Sequence, residues 1–205
     1  MDSAFYNSWE LRRVPVSGGP SQEILKAISS AVDNPVRCSW APATLCVLTE
    51  PSADDKQLVF TAFDVMKGRG QELLRFDIDP NGAYSWGVSP DGTRIAIMYP
   101  PETKVHIFHV DGHTQEEIAI KNVQVGTALD WAADNKGLFI DHATSRGTAL
   151  SYLDLHGNTH SIWEQPGTAE KGKLTAVWAI PARDGRHVAI NASLQNSNVW
   201  MLENF

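Results

Sequence analysis

The sequence predicts an all-β chain of β-propeller blades, each a four-stranded antiparallel sheet, and three observations carry that reading. A strand–turn–strand unit occurs three times: Trp86-Gly-Val-Ser-Pro-Asp-Gly-Thr-Arg-Ile-Ala-Ile97, Trp131-Ala-Ala-Asp-Asn-Lys-Gly-Leu-Phe-Ile140 and Pro181-Ala-Arg-Asp-Gly-Arg-His-Val-Ala-Ile190. Aligning the second strands sets Ile95, Leu138 and Val188 in register at a spacing of roughly 40–50 residues, the length of a propeller blade. Helical periodicity is almost absent. The apolar runs are short, β-branched or aromatic, and bounded by turn residues, which is the pattern of strands.

The elements follow in order. Trp9–Val16, the turn Ser17-Gly-Gly-Pro20 and Gln22–Leu25 read as the outer hairpin of a partial blade over residues 1–30. Within it, Gln22–Ala31 fits a short helix as well as a strand followed by a linker. Residues 31–79 hold strands at Leu45–Leu48, Gln57–Phe63 and Glu72–Phe76. Residues 80–124 hold Arg94–Met98, Lys104–Val110 and Glu116–Ile120, and residues 125–168 hold Gly137–Ile140, Leu150–Leu155 and Thr159–Trp163. A second partial blade, 172–205, contains Val177–Ile180, His187–Ala192 and Asn198–Leu202. Asp-Gly and Gly-Asn pairs tolerate the positive φ of tight hairpins, so Pro90-Asp-Gly92, Asp111-Gly112, Gly157-Asn158 and Asp184-Gly185 mark reversals. The sum is an incomplete propeller of three full blades and two partial ones, one domain or a fragment of one.

An open arc leaves apolar sheet faces in water. Three arrangements cover them: self-closure of the ring, pairing of two arcs, or further blades supplied by preceding sequence. The third is favoured, because Trp9–Val16 reads as a third strand with no first or second before it, and the isolated chain is then expected to self-associate.

Hydrophobic residues make up 42% of the 205 and charged residues 20%, the balance of a folded soluble protein. The net charge of -7 and pI near 5.4 argue against a nucleic-acid surface, which needs clustered Lys and Arg. Lys67-Gly-Arg69 falls in a turn, where it solvates the surface. No apolar run approaches the ~20 residues of a membrane span, and the first ten residues lack the basic and apolar regions of a signal peptide. Taken alone, the chain is expected in the cytoplasm; as part of a membrane-anchored longer protein it would be extracytoplasmic.

Ser89-Pro-Asp-Gly-Thr-Arg-Ile-Ala-Ile97, preceded by Trp86, resembles the motif of TolB-like (WD-repeat-like) β-propellers, and the resemblance covers nearly the whole chain. Trp9-Glu-Leu-Arg-Arg-Val-Pro-Val-Ser-Gly-Gly19 resembles the third-strand turn of the same repeat. More narrowly, Cys38-Ser-Trp-Ala-Pro-Ala-Thr-Leu-Cys46, Thr61-Ala-Phe-Asp64 with Lys67-Gly-Arg-Gly70, and Ser197-Asn-Val-Trp-Met-Leu-Glu-Asn-Phe205 are similar to the C-terminal propeller of bacterial multidomain proteins. There the propeller follows a serine/threonine kinase or winged-helix domain. The chain carries no Gly-rich phosphate loop, His-Arg-Asp triplet or helix-turn-helix pattern. Its second repeat departs from the motif, with Ala-Asp-Asn-Lys-Gly137 after Ala132.

Candidate sites are few. No G-x-S-x-G elbow supports nucleophilic hydrolysis. His106 and His109 fall on opposite faces of a strand; His109 with His113, and His156 with His160, flank turns where a metal would still need further ligands. Asp77, Asp79, Asn81 and Gly82 match the first half of a calcium loop, but Val88 stands where the closing Glu belongs. No metal or cofactor is therefore assigned. The seven tryptophans are read as packing between blades at Trp86, Trp131, Trp163 and Trp200, with Trp40 and Trp178 less easily placed. A hairpin about Pro42 sets the two cysteines, Cys38 and Cys46, opposite each other; in an oxidising compartment they can bridge, and otherwise they pack as two thiols. Ser89, Pro90, Asp91, Gly92, Asp184 and Gly185 form the repeat turn.

The function expected is a non-enzymatic binding or interaction module that takes a protein or small ligand at the propeller mouth. The alternative is the accessory or sensor propeller of a larger enzyme, a kinase or a prolyl-oligopeptidase-like hydrolase.

Overall fold

In the computed structural model, residues 7–29, 35–79, 82–111, 115–121, 123–145, 147–166 and 173–195 are described, and they contain strands and turns but no helix. Three four-stranded antiparallel sheets lie between two two-stranded ones. The first sheet pairs β1 (Asn7–Arg13) with β2 (Gln22–Ser29). The second runs β3 (Val36–Cys38), β4 (Cys46–Pro51), β5 (Gln57–Asp64) and β6 (Gly68–Asp77). The third runs β7 (Ser85–Val88), β8 (Arg94–Met98), β9 (Lys104–His109) and β10 (Gln115–Ala119). The fourth runs β11 (Gln124–Trp131), β12 (Gly137–Thr144), β13 (Gly147–Asp154) and β14 (Thr159–Pro166). The fifth pairs β15 (Lys173–Pro181) with β16 (Val188–Gln195).

Strand order equals chain order in each sheet, so every connection is a hairpin. This follows from turn residues spaced at strand length throughout the sequence. Gln22–Ser29 is a strand, not a helix: pairing puts Leu25 opposite Leu11 and Ala27 opposite Trp9 on one face, and Lys26 opposite Glu10 on the other. Alternation that can be buried against a neighbouring sheet outweighs modest helix propensity. β1 stops at Arg13, leaving Val14–Val16 in the turn. The expected strand Asn198–Leu202 and the motif at 197–205 lie outside the described residues.

Apolar alternation places the core between sheets. Leu25 and Ala27 of the first sheet meet Leu48 and Phe63 of the second. Phe60 of the second stands edge-on to Trp86 of the third, with ring centres 5.3 Å apart. Met98, Ile107 and Ile118 of the third pack on Trp131, Leu138 and Ile140 of the fourth, and Leu150 of the fourth meets Val177 and Ala179 of the fifth. Each fully buried side chain of this size contributes about 1.5–3 kcal/mol.

The repeat turns share one hydrogen-bonded design. Ser89 N bonds to Arg94 O and Gly92 N to Ser89 O; Ala132 and Asn135, and Ala182 and Gly185, repeat both bonds. The third residue is always Asp. Asp91, Asp134 and Asp184 each accept the amide two residues on, from Thr93, Lys136 and Arg186. The fourth residue is left-handed, with φ of 72°, 60° and 66° at Gly92, Asn135 and Gly185. A fourth copy, Ser52-Ala-Asp-Asp55, has the same bonds and φ of 60° at Asp55, but joins β4 to β5 rather than the first two strands of its sheet.

Candidate binding face on the inner strands

β3, β7, β11 and β15 each form one edge of a sheet, and each touches the next in succession. Their turns also meet. Trp40 N, in the β3–β4 turn, donates to Pro90 O at 2.9 Å. Asp91 N donates to Asn135 Oδ1, and Arg94 Nη2 to Asn135 O at 2.7 Å. A Cβ added to Gly92 would stand 3.2 Å from Ser39, and one on Gly185 would stand 3.6 Å from Ala133. Pro90 and Asp91 thus join neighbouring sheets and Gly92 packs closely on one, whereas Asp184 bonds only within its own turn. Ser89 Oγ donates to Asp91, and Arg94 N donates back to Ser89 Oγ. Burial opposes ionisation of Asp91, yet hydrogen bonds from Ser89 and Thr93 outweigh it and hold the carboxyl below its usual range. Ser89, Pro90, Asp91 and Gly92 are structural groups, and so are Asp184 and Gly185.

Behind the turns, Arg37 on β3 reaches Asp130 on β11 at 3.6 Å, so this ion pair spans the intervening third sheet. Both side chains are less than a third exposed. Burial pushes the Asp130 carboxyl up, while Arg37 and the Trp131 amide partly offset that rise. Asp141 on β12 is likewise raised by burial and holds the bulged backbone of β11 by accepting Ala128 N at 2.7 Å. Neither residue carries a sequence motif, and only the fold brings Arg37 and Asp130 together.

Counting back two and four positions from each turn shows how one inner strand receives the next. On β7 these are Gly87 and Ser85. Ser85 Oγ accepts Leu129 N, and Gly87 O accepts Trp131 Nε1, each at 3.1 Å. A side chain at Gly87 would begin 3.3 Å from the Trp131 ring. On β11 the positions are Asp130 and Ala128. On β15 they are Ile180 and Trp178, 52% and 39% exposed. Where the fold brings a neighbouring strand against β7 the residues are small; on β15 they are large, apolar and open.

The remaining candidates separate. Trp86 and Trp131 are buried in the core, and Trp163 packs at the fourth-to-fifth sheet junction; Trp200 lies outside the described residues. Cys38 faces Cys46 across β3–β4, and the two are joined as a disulfide. His106 lies nearly buried between Glu102, 2.8 Å from Nε2, and Glu117, 3.3 Å from Nδ1. His142 Nε2 meets Ser151 Oγ at 2.9 Å, but Ser151 is buried and Nδ1 faces Ala143 O, not a carboxylate. No cluster of three His, Cys, Asp or Glu able to hold a metal occurs among the described residues. His113, Asn81 and the residue before Asn81 fall outside them. No described helix is long and apolar enough to cross a membrane.

No protein-family model matches the chain, and no curated protein does. Among solved structures, the crystal structure of TolB from Acinetobacter baumannii is similar over 92% of this chain and 44% of that one, with 17% identity and a TM-score of 0.54. The chain therefore spans less than half the length of that neighbour. At this identity the likeness speaks to architecture, and it shows an all-β chain of TolB-like, propeller-type antiparallel sheets.

Proposed function

We propose that the chain is a non-enzymatic binding module that recognises a protein segment or a small ligand with an apolar surface on its inner-strand face. The observation that carries this reading is the pair Trp178 and Ile180, open on β15 at the positions where β7 has Ser85 and Gly87. A large exposed apolar pair on one side of a strand marks an interaction surface. Aromatic side chains contribute broad contact area at low entropic cost. The TolB-like architecture supports a binding role only as a fold-level analogy.

A panel of short peptides and small aromatic ligands, followed by thermal shift and isothermal titration, tests the proposal. At least one class should raise the melting temperature of the native chain and lose most of that effect with Trp178→Ala. A Trp178→Ala variant that binds every hit as the native chain does would remove this face from consideration. Ester, peptide and phosphoester substrates should turn over no faster than a buffer control. Turnover abolished by Ser151→Ala or His142→Ala would replace the binding module with an enzyme.

A further inference from the structure

Two neighbouring hairpin tips carry a second exposed apolar surface, independent of the inner strands. The β1–β2 tip presents Val14 and Val16, 58% and 108% exposed, and the β5–β6 tip presents Val65 and Met66, 49% and 68% exposed. Turn tips ordinarily carry Gly, Pro, Asn, Asp or Ser, whose backbone preferences the turns require. Here those needs are met elsewhere. Gly18 and Gly19 take positive φ in the first tip, and Gly68 does so in the second. Asp64 Oδ1 accepts Met66 N and Lys67 N. The four apolar side chains are not demanded by the turns that hold them.

The tips are side by side. Arg13 Nη1 contacts Met66 Sδ, and Arg69 Nη2 donates to Lys26 O. A Cβ added to Gly68 would lie 3.9 Å from Ile24 O. Their charges are also distinctive. Arg12 and Lys26 pair with Glu10 and Glu23, and Arg69 pairs with Glu50. Arg13 binds Gln22 instead of a carboxylate, and Lys67 has no carboxylate partner among the described residues. The one carboxylate of the second tip, Asp64, is turned onto its own backbone.

We propose that these paired tips are a membrane-contacting surface, with Val14, Val16, Val65 and Met66 entering the headgroup region of an anionic bilayer while Arg13 and Lys67 meet lipid phosphates. The placement favours a bilayer over a peptide. The four apolar side chains sit on the turns themselves, beyond the last ladder pairs Arg13–Gln22 and Asp64–Gly68, and not along the strand edges by which folded domains hold peptides. Apolar side chains flanked by cations that no carboxylate neutralises among the described residues match an interface whose depth is apolar and whose surface is negative. With the whole chain at -7, contact depends on this local patch and is oriented by it.

Flotation of the full chain with vesicles tests the proposal, comparing phosphatidylcholine alone with phosphatidylcholine mixed with phosphatidylglycerol at low and physiological salt. Binding should appear only on the anionic vesicles and weaken with salt. Val16→Asp/Met66→Asp should reduce it at least about tenfold. Arg13→Glu and Lys67→Glu should each weaken it about fivefold or more. Ile162→Asp, an exposed position on β14, should bind as the native chain does, and far-UV circular dichroism confirms that each variant is folded. Absence of binding to anionic vesicles at low salt, or full binding by the double Asp variant, would overturn the proposal. So would binding of a soluble acidic, apolar peptide by these tips without vesicle binding, which would make them a protein-docking surface.

Discussion

At the scale of single residues, two buried tryptophans do different work in similar settings. Trp131 is held from three sides: its Nε1 donates to Gly87 O, the Arg94 guanidinium lies 4.6 Å from its ring centre, and its body fills the third-to-fourth sheet junction. Trp86 stands edge-on to Phe60, and its buried Nε1 has no hydrogen-bond partner among the described residues. Trp131→Phe therefore loses a buried hydrogen bond, although Gly87 O keeps its ladder partner on β8, a cost of about 0.5–1.5 kcal/mol beyond that of the smaller ring. Trp86→Phe removes an unsatisfied donor and should cost at least about 1 kcal/mol less. Urea denaturation of the two variants decides it, and equal losses would contradict the assignment. The cysteines make a second case. A bridge closing this short loop contributes about 2–3 kcal/mol through the unfolded chain. Intact mass should show one species lighter by two hydrogens without reductant, and Cys38→Ser/Cys46→Ser should lower stability by that amount. Equal masses with and without reductant would exclude the bond.

At the scale of elements, the repeat turn is a backbone device whose sequence is looser than its geometry. Gly92→Ala puts a side chain at φ of 72° and within 3.2 Å of Ser39, so it should cost about 1–2 kcal/mol. Asp55→Gly relieves a left-handed non-glycine in an exposed turn and should leave stability unchanged or raise it by up to about 1 kcal/mol. Thermal melts of both variants check the contrast. The same turn shows what the sequence discloses. Ser-Pro-Asp-Gly92 and Arg-Asp-Gly185 were legible because Gly announces positive φ. The copy ending at Asp55 was not, because Asp is common in turns of every kind. Gln22–Ala31 stayed open between helix and strand because only its burial against Leu48 and Phe63 decides the period. The candidate faces were less legible still. Alternation says that Trp178 and Ile180 share a side of β15, and that side's exposure depends on what packs against it. The Arg37–Asp130 pair joins distant parts of the chain with no local mark on either residue.

At the scale of the whole molecule, the two ends of the array differ in chemistry. The face of β1–β2 turned away from the second sheet is a lattice of Glu10, Arg12, Glu23 and Lys26, whereas β15 exposes Trp178 and Ile180. Water suits the first and not the second, so association should run through the second. Light scattering at low micromolar concentration should show concentration-dependent growth that Ile180→Lys suppresses; a monodisperse native monomer would argue that this face is already covered. The Arg37–Asp130 pair has a further consequence. A bond that reaches from the second sheet to the fourth acts as the chord of an arc, so the curvature of the array is partly an electrostatic quantity. Salt weakens such a half-open pair, and the native chain should relax outward as ionic strength rises. Small-angle scattering under conditions that keep the chain monomeric would register this as a growing radius of gyration, while Arg37→Met, already without its chord, should start wider and respond less.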